Sequence, residues 1–363
     1  MSPTELCLTD SKNKGEEVVP NFKELRASND AENDGVELQK RMDEDGYLFF
    51  RQLQDPDKLR QLRREMLTVM QQGGWLIPGT DPSEGIVNLN ARCTEGDLEY
   101  TEVYHKVYKL QSFHQSGHWP EVMHLLRQIM DCEVMPQPQK VARLWFPKYT
   151  DHTTPVHQDF VHFQGTFRNL TCWAPVGDCP RELGGLAVLR GSHKVRRVLE
   201  HHFSLGAGSL HLNSDEHAEL GGDWRSTDYE IGDTLIFPAL TVHQALPNLT
   251  EDRLRVSLDN RYQRVGDPIA EHMLTPHLSN FSPISWEDVY RGWSSDEGKY
   301  YWQELDNPVV PRDASYSNHG FDEAMELARA GDRKAKHHLE RISRRDPDSE
   351  QGRRASAVLA DLP

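Results

Sequence analysis

The stretch Pro155-Val156-His157-Gln158-Asp159-Phe160 decides how the rest of the chain is read. If it runs as a strand, alternate side chains share a face, and His157 and Asp159 point together into one cavity. An imidazole and a carboxylate at that spacing supply two of the three ligands of a metal site that keeps open positions. A second histidine from another strand would complete the 2-His-1-carboxylate face that marks iron(II) oxygenases. A His-x-Asp triplet alone is weak in a chain with 18 histidines, so its surroundings must carry the reading. Downstream, Gly232-Asp233 turns into the apolar run Thr234-Leu-Ile-Phe-Pro238; Val242-His243 follows, and then Arg253-Leu-Arg255-Val-Ser-Leu258. An arginine there has a chemical use, because its planar fork grips a carboxylate at two points, which lysine cannot do. A diacid co-substrate needs one end on the metal and the other on such an arginine.

Outward from the motif, short apolar runs punctuated by Gly and Pro begin at about residue 134. The runs at 141–146, 160–167, 170–176, 185–189, 233–237 and 254–262 read as strands. Short strands in this arrangement predict a sandwich or jelly roll rather than a parallel βαβ sheet. Segment 195–230 reads as a long excursion between strands. Upstream, a helix follows the acidic run at 29–34 and enters a short strand at 46–50. A second helix spans 55–73, with Asp55 as its cap, Pro56 in its first turn and Leu59, Leu62, Met66 and Val69 at helical spacing. A third fits 119–130. Residues 264–318 show no clear periodicity. The expected organisation is a flexible tail over 1–34, one large domain over 35–318 with a β core at about 134–264, and a helical appendage over 319–363. The fold class is mainly β with flanking helices.

Bulk properties exclude some functions. The formal charge of −16 disfavours general binding to nucleic acid or anionic membranes. Five cysteines, an odd count with no CxxC pair, point to reduced thiols in a cytoplasmic protein. Cys172 and Cys179 are close in sequence, but no second Cys/His pair has zinc-site spacing. No apolar run resembles a signal peptide or reaches the roughly 18 residues of a membrane span, so neither export nor membrane insertion is expected.

The chain resembles the phytanoyl-CoA hydroxylase-like branch of the 2-oxoglutarate oxygenases. The likeness runs from Asp45-Gly46-Tyr47 through His157-Gln158-Asp159 and Trp173 to Gly184-Gly-Leu-Ala-Val-Leu-Arg-Gly-Ser-His193, and it ends at His243 and Arg255. The resemblance implies a double-stranded β-helix (jelly-roll, cupin-like) core with Fe(II) on His157, Asp159 and His243. It also implies 2-oxoglutarate anchored by Arg255, Trp173 near that co-substrate, and O2 as the second co-substrate. The implied reaction oxidises an unactivated C–H bond of a small-molecule metabolite and releases succinate and CO2. Arg190 stands where the family often has Pro, away from the metal residues. Arg253 is the rival anchor; Arg255 is preferred because it stands in the family's Arg-x-Ser pattern. Related halogenases carry a small residue in place of the carboxylate, so Asp159 favours hydroxylation, or desaturation or cyclisation, over halogenation. A non-catalytic jelly-roll binding protein has no chemical reason to keep all four residues, and a zinc hydrolase would leave Arg255 unexplained.

The remaining polar residues have plainer readings. His162, on the expected strand, points away from Asp159; His152 is a loop residue; His193 belongs to the Gly-Ser-His turn. The adjacent pairs His201-His202 and His337-His338 face different ways and make poor chelators. Asp233 is a turn residue. Arg143, Gln139 and Trp145 precede the motif and could reach either substrate or surface. Substrate recognition is expected from 74–115, 195–230 and 264–300.

Overall fold

The computed structural model describes residues 22–362. Most of the tail expected over 1–34 therefore lies outside the described residues. Residues 22–34 are structured: β1 (Lys23–Glu24) is a sheet strand, and Asp34 caps α1 (Gly35–Asp45) by accepting the Glu37 N–H. α1 ends at Gly46, whose φ of 75° suits glycine, and a Cβ there would strike the His193 ring. β2 (Leu48–Phe50) follows, then α2 (Pro56–Gln72) with the Asp55 cap and a buried stripe at Leu59, Leu62 and Met66. Segment 74–115, one of those expected to recognise substrate, leads into two helices, α3 (Leu98–Tyr108) and α4 (Gln111–Ser116). α3 buries a stripe at helical spacing, Tyr100, Val103, Tyr104, Val107 and Tyr108. α5 (Pro120–Met130) completes the helical layer.

The β core then begins. β3 (Val134–Pro136), β4 (Ala142–Trp145) and β5 (His157–Gln158) lead to a correction. The strand expected at 160–167 is instead a short helix, α6 (Phe160–Phe163), because Asp159 already has helical backbone angles (φ −61°, ψ −28°). β6 (Leu170–Pro175) and β7 (Leu186–Leu189) match their expected runs. The excursion carries a hairpin of β8 (His202–Phe203) and β9 (Leu210–His211), then α7 (Ser214–Ala218) and β10 (Trp224–Ser226). β11 (Thr234–Pro238), β12 (Val242–Ala245) and β13 (Arg255–Arg264) close the core. One sheet has the order β1-β10-β7-β12-β5; the other runs β2-β11-β6-β13-β3, with β4 also on β13. The two sheets face each other, since side chains from both line one interior cavity. Helices hold more of the chain than strands, so "mainly β" describes this core and not the whole molecule.

β13 shows what the core is for. Its even-numbered Val256 and Leu258 join the apolar cluster under α2 and α3. Its odd-numbered Arg255, Ser257, Asp259 and Arg261 point the opposite way, into the cavity, and are no more than 8% exposed. Burying a row of charges costs stability unless each is paired or awaits a ligand. That face is a site rather than packing.

After β13, β14 (Ile269–Ala270) pairs with β15 (Val309–Val310) around α8 (Trp286–Tyr290). The C-terminal segment is three helices, α9 (Ser315–Arg329), α10 (Arg333–Arg345) and α11 (Glu350–Asp361). They share a cluster of Phe321, Ala328, Leu339, Ile342 and Val358, into which Phe203 of β8 inserts. The expected boundary at 319 falls inside α9. The four described cysteines are free, and among the described residues no helix is long and apolar enough to cross a membrane.

Lys140 is a costly feature of this core. It is 1% exposed, and its Nζ meets only Tyr301 Oη at 3.2 Å and the Gln137 carbonyl at 3.5 Å. Burial pulls its pKa from 10.5 down to about 7. The unfolded chain therefore binds the proton more tightly between those values, so the penalty is full below about pH 7 and fades as pH rises toward 10.5. Lys140→Met is expected to raise the melting temperature at pH 6–7, with a gain that shrinks on titration to pH 10 (approximate limits from the linkage relation). Thermal melts across pH check this; a variant that melts lower throughout would refute it.

Candidate active site

β12 pairs antiparallel with β5 so that His243 stands directly opposite His157, and the ring centroids are 4.2 Å apart. Each ring is oriented from its own strand. His157 Nδ1 lies 2.8 Å from the Pro155 carbonyl and His243 Nδ1 lies 2.9 Å from that of Thr241. With Nδ1–H donating to a carbonyl, Nε2 is left as the lone-pair nitrogen on both rings. Asp159 Oδ1 sits 3.4 Å from His157 Nε2 and 3.7 Å from His243 Nε2. Burial, with His157 beside it, pulls the His243 pKa down to about 3 and keeps that imidazole neutral. Burial opposes ionisation of Asp159, but Arg261, His243 and His157 outweigh it and hold its carboxyl well below the usual range. Two imidazole Nε2 atoms and an ionised carboxylate, with donor atoms all within 4.8 Å of one another, could hold a metal ion.

Arg255 lies on the same cavity. It is 1% exposed, and its Nε donates to the Gly184 carbonyl at 2.8 Å while Nη1 donates to Ser257 Oγ at 2.7 Å. It has no carboxylate partner within 4 Å among the described residues. Burial draws its pKa down to about 10, which still leaves it charged at neutral pH. Trp145 and Trp173 flank the guanidinium at 5.7 and 6.0 Å. A buried cation without a counter-ion, facing a cavity, fits an anionic ligand. The residues thus suit both the metal and the diacid that the sequence implies. The cavity itself is only about 20 Å³. That is room for roughly one water, so entry of a larger molecule requires loop or side-chain movement. A larger groove of about 910 Å³, beside Arg63 and Glu230, carries none of the three donors.

The sequence-derived residues divide clearly. His157, His243, Arg255 and Trp173 line the cavity, and Asp159 reaches both rings. Arg253 does not: it is exposed and donates to the Glu84 carbonyl at 2.8 Å. Arg143 and Trp145 do line the cavity, and Arg143 is ion-paired with Glu95 and Asp259. Gln139 binds the carbonyls of His272 and Thr275 and is structural. His162 is not turned away, because it sits on α6 with its ring 5.5 Å from that of His157. The adjacent histidines do part: His201 Nε2 accepts the Gln158 N–H, whereas His202 lies between Glu216 and Glu323. His202, His319 and Glu323, and Glu200, His202 and Glu216, are the other donor groups among the described residues. Asp233 accepts the Gln52 and Glu230 N–H groups, tying β2 to the turn before β11. Sequence reasoning passed over Thr171, Asp259 and Arg261; the alternation of charge along 255–261 was the available signal.

Two histidines and a carboxylate on facing strands, with an unpaired arginine across a shared cavity, define the class of mononuclear non-haem iron, 2-oxoglutarate-dependent oxygenases. The chain belongs to the phytanoyl-CoA dioxygenase (PhyH) family, whose model matches residues 42–256. It is an oxygenase of that type, with iron and 2-oxoglutarate as its cofactors. Among curated relatives, the 1-deoxypentalenic acid 11-beta-hydroxylase of Streptomyces arenae is 26% identical over 272 residues, covering 72% of this chain and 90% of the relative. The enzyme of the same name from Streptomyces exfoliatus is 24% identical over 277 residues, with the same coverage. Among solved structures, EctD from S. alaskensis in its apoform has a TM-score of 0.47 at 15% identity, covering 81% of this chain and 94% of that one. The epimerase SnoN in complex with Fe3+, alpha ketoglutarate and nogalamycin RO has a TM-score of 0.45 at 18% identity, covering 64% and 84%.

Proposed function

We propose that His157, Asp159 and His243 hold the iron, that Arg255 grips the distal carboxylate of 2-oxoglutarate, and that Trp173 walls that co-substrate's pocket. The observation that carries this reading is the convergence of two Nε2 atoms and Asp159 Oδ1 on one cavity with an uncompensated buried arginine. When bound, iron and 2-oxoglutarate supply the oxidising power for a C–H bond of the substrate, using O2 and leaving succinate and CO2. The protein's part is positional. The Pro155 and Thr241 carbonyls aim the two rings, and Arg255, flanked by Trp145 and Trp173, would orient the diacid. The carboxylate of Asp159 fills the place that a halogenase would leave open, and the relatives named as hydroxylases favour hydroxylation of a small metabolite over desaturation or cyclisation. We assign the strands of about 134–264, to which β1 and β2 add edges, to a double-stranded β-helix within a catalytic domain at 35–318, with 319–363 as its appendage. The free cysteines and the net negative charge support a cytoplasmic enzyme that binds neither nucleic acid nor membrane.

The test is anaerobic. Apo-protein mixed with Fe(II) and 2-oxoglutarate is expected to develop the weak visible charge-transfer band of the chelated co-substrate, and His157→Ala is expected to lack it. Folded wild-type protein that binds iron but shows no band would overturn the assignment.

A further inference from the structure

Asp159 has more partners than metal binding alone requires. While Oδ1 faces the two Nε2 atoms, Oδ2 accepts the Thr171 hydroxyl. Nη2 of Arg261 stands 3.2 Å from each carboxylate oxygen. Arg261 is itself fixed: Nη1 donates to the Asp259 carbonyl at 2.7 Å, Nη2 lies 3.2 Å from Asp259 Oδ1, and the guanidinium carbon lies 3.6 Å from the centre of the Phe163 ring. Thr171 and Arg261 are register partners on β6 and β13, so two neighbouring strands deliver both donors to one carboxylate. Asp159 and Thr171 are 1% exposed and Arg261 is 3% exposed.

We propose that Arg261 and Thr171 are positioning residues for the metal centre: Thr171 holds Oδ2 of Asp159 and Arg261 braces both carboxylate oxygens, so that Oδ1 is the oxygen presented beside His157 and His243. This rests on the reading of those three residues as iron ligands. A carboxylate free to turn would offer both oxygens to the metal and crowd the positions that the co-substrates need. Tied back by one oxygen, it occupies a single position and is already in place before metal arrives. Only arginine suits the task from β13, because its fork reaches Asp159 and the Asp259 carbonyl at once. Charge and position act in opposite directions here. A guanidinium near the ligand repels an incoming dication, whereas an outer-shell partner that fixes a ligand is typically worth about 10- to 100-fold in metal affinity. The sign of the effect therefore separates the two.

Co(II) binding to apo-protein, titrated without oxygen and followed by the metal's visible absorption, reads this independently of turnover. Thr171→Val is expected to raise the Kd about 10- to 100-fold, Thr171→Ser to restore it, and Arg261→Met to raise it at least as far as Thr171→Val. Arg261→Met leaves the buried Asp159 carboxylate without its arginine, while Asp259 keeps Arg143 at 3.6 Å, and is the variant at risk of not folding; Thr171→Val removes one hydroxyl and carries the test without it. An unchanged Kd in Thr171→Val, or tighter binding in Arg261→Met, overturns the proposal while the iron-site reading stands. Co(II) binding that survives His157→Ala, or fails in the wild type, overturns both.

Discussion

Asp159→Ala is expected to purify without iron and to form no succinate from 2-oxoglutarate. The substitution removes the only anionic donor of the site and leaves two histidines with the Arg261 guanidinium turned toward them. An incoming dication would then meet a net positive cavity, because among the described residues Arg255 has no carboxylate partner and Arg261 shares Asp259 with Arg143. The loss in metal affinity should exceed the roughly 10- to 100-fold typical of an outer-shell change, since a ligand itself is gone. Stability should fall as well. Taking one partner from a buried ion pair costs about 3–5 kcal/mol, and Asp259, still 3.2 Å from Arg261, keeps the loss toward the lower end of that range. Metal analysis after gel filtration and a thermal melt measure the two effects separately. A variant that keeps stoichiometric iron would remove Asp159 from the ligand set.

Arg255→Met is expected to act with opposite signs on the apo-protein and on its complex. Without co-substrate, the wild type buries a guanidinium that has only a carbonyl and a hydroxyl for partners. An apolar side chain of similar length relieves that cost, so the apo variant should melt no lower than the wild type. With co-substrate, the variant loses a charge-assisted grip on a carboxylate, which is worth about 2–5 kcal/mol when such a pair is buried. That corresponds to a rise of roughly 30-fold to several thousandfold in the 2-oxoglutarate concentration for half-saturation. Arg255→Lys should recover little of this, because a point charge cannot reproduce the fork. The measurement is the rise in melting temperature on adding 2-oxoglutarate with Fe(II): present in the wild type, absent in the Met variant. An equal rise in both would point to another anchor.

Much of this site was legible before any tertiary contact. The strands at β4, β6, β7, β11 and β13 announce themselves as apolar runs between turn residues, and α2 carries its cap, its proline and its buried stripe in plain order. Helix α3 carries a stripe as well, with Tyr100, Val103, Tyr104, Val107 and Tyr108 at helical spacing and their rings packed against Trp75 and His277, and that signal was passed over. The convergence of His157 and Asp159 follows their two-residue spacing across extended Gln158, although the strand ends there and Asp159 opens the helical turn of α6.

By itself, the sequence determined the chemistry of this protein: which side chains can bind a metal and a diacid, and the chain order in which His157, Asp159, His243 and Arg255 occur. Those properties belong to residue types and short spacings, which neighbours along the chain specify. The tertiary structure alone decided which groups hold the Asp159 carboxylate. Arg261 lies 102 residues from Asp159 in the chain, and only the register of β13 against β6 brings it and Thr171 to the same carboxylate. Strand register is set by the packing of whole sheet faces, and a slip of one residue would turn Arg255, Asp259 and Arg261 out of the cavity together.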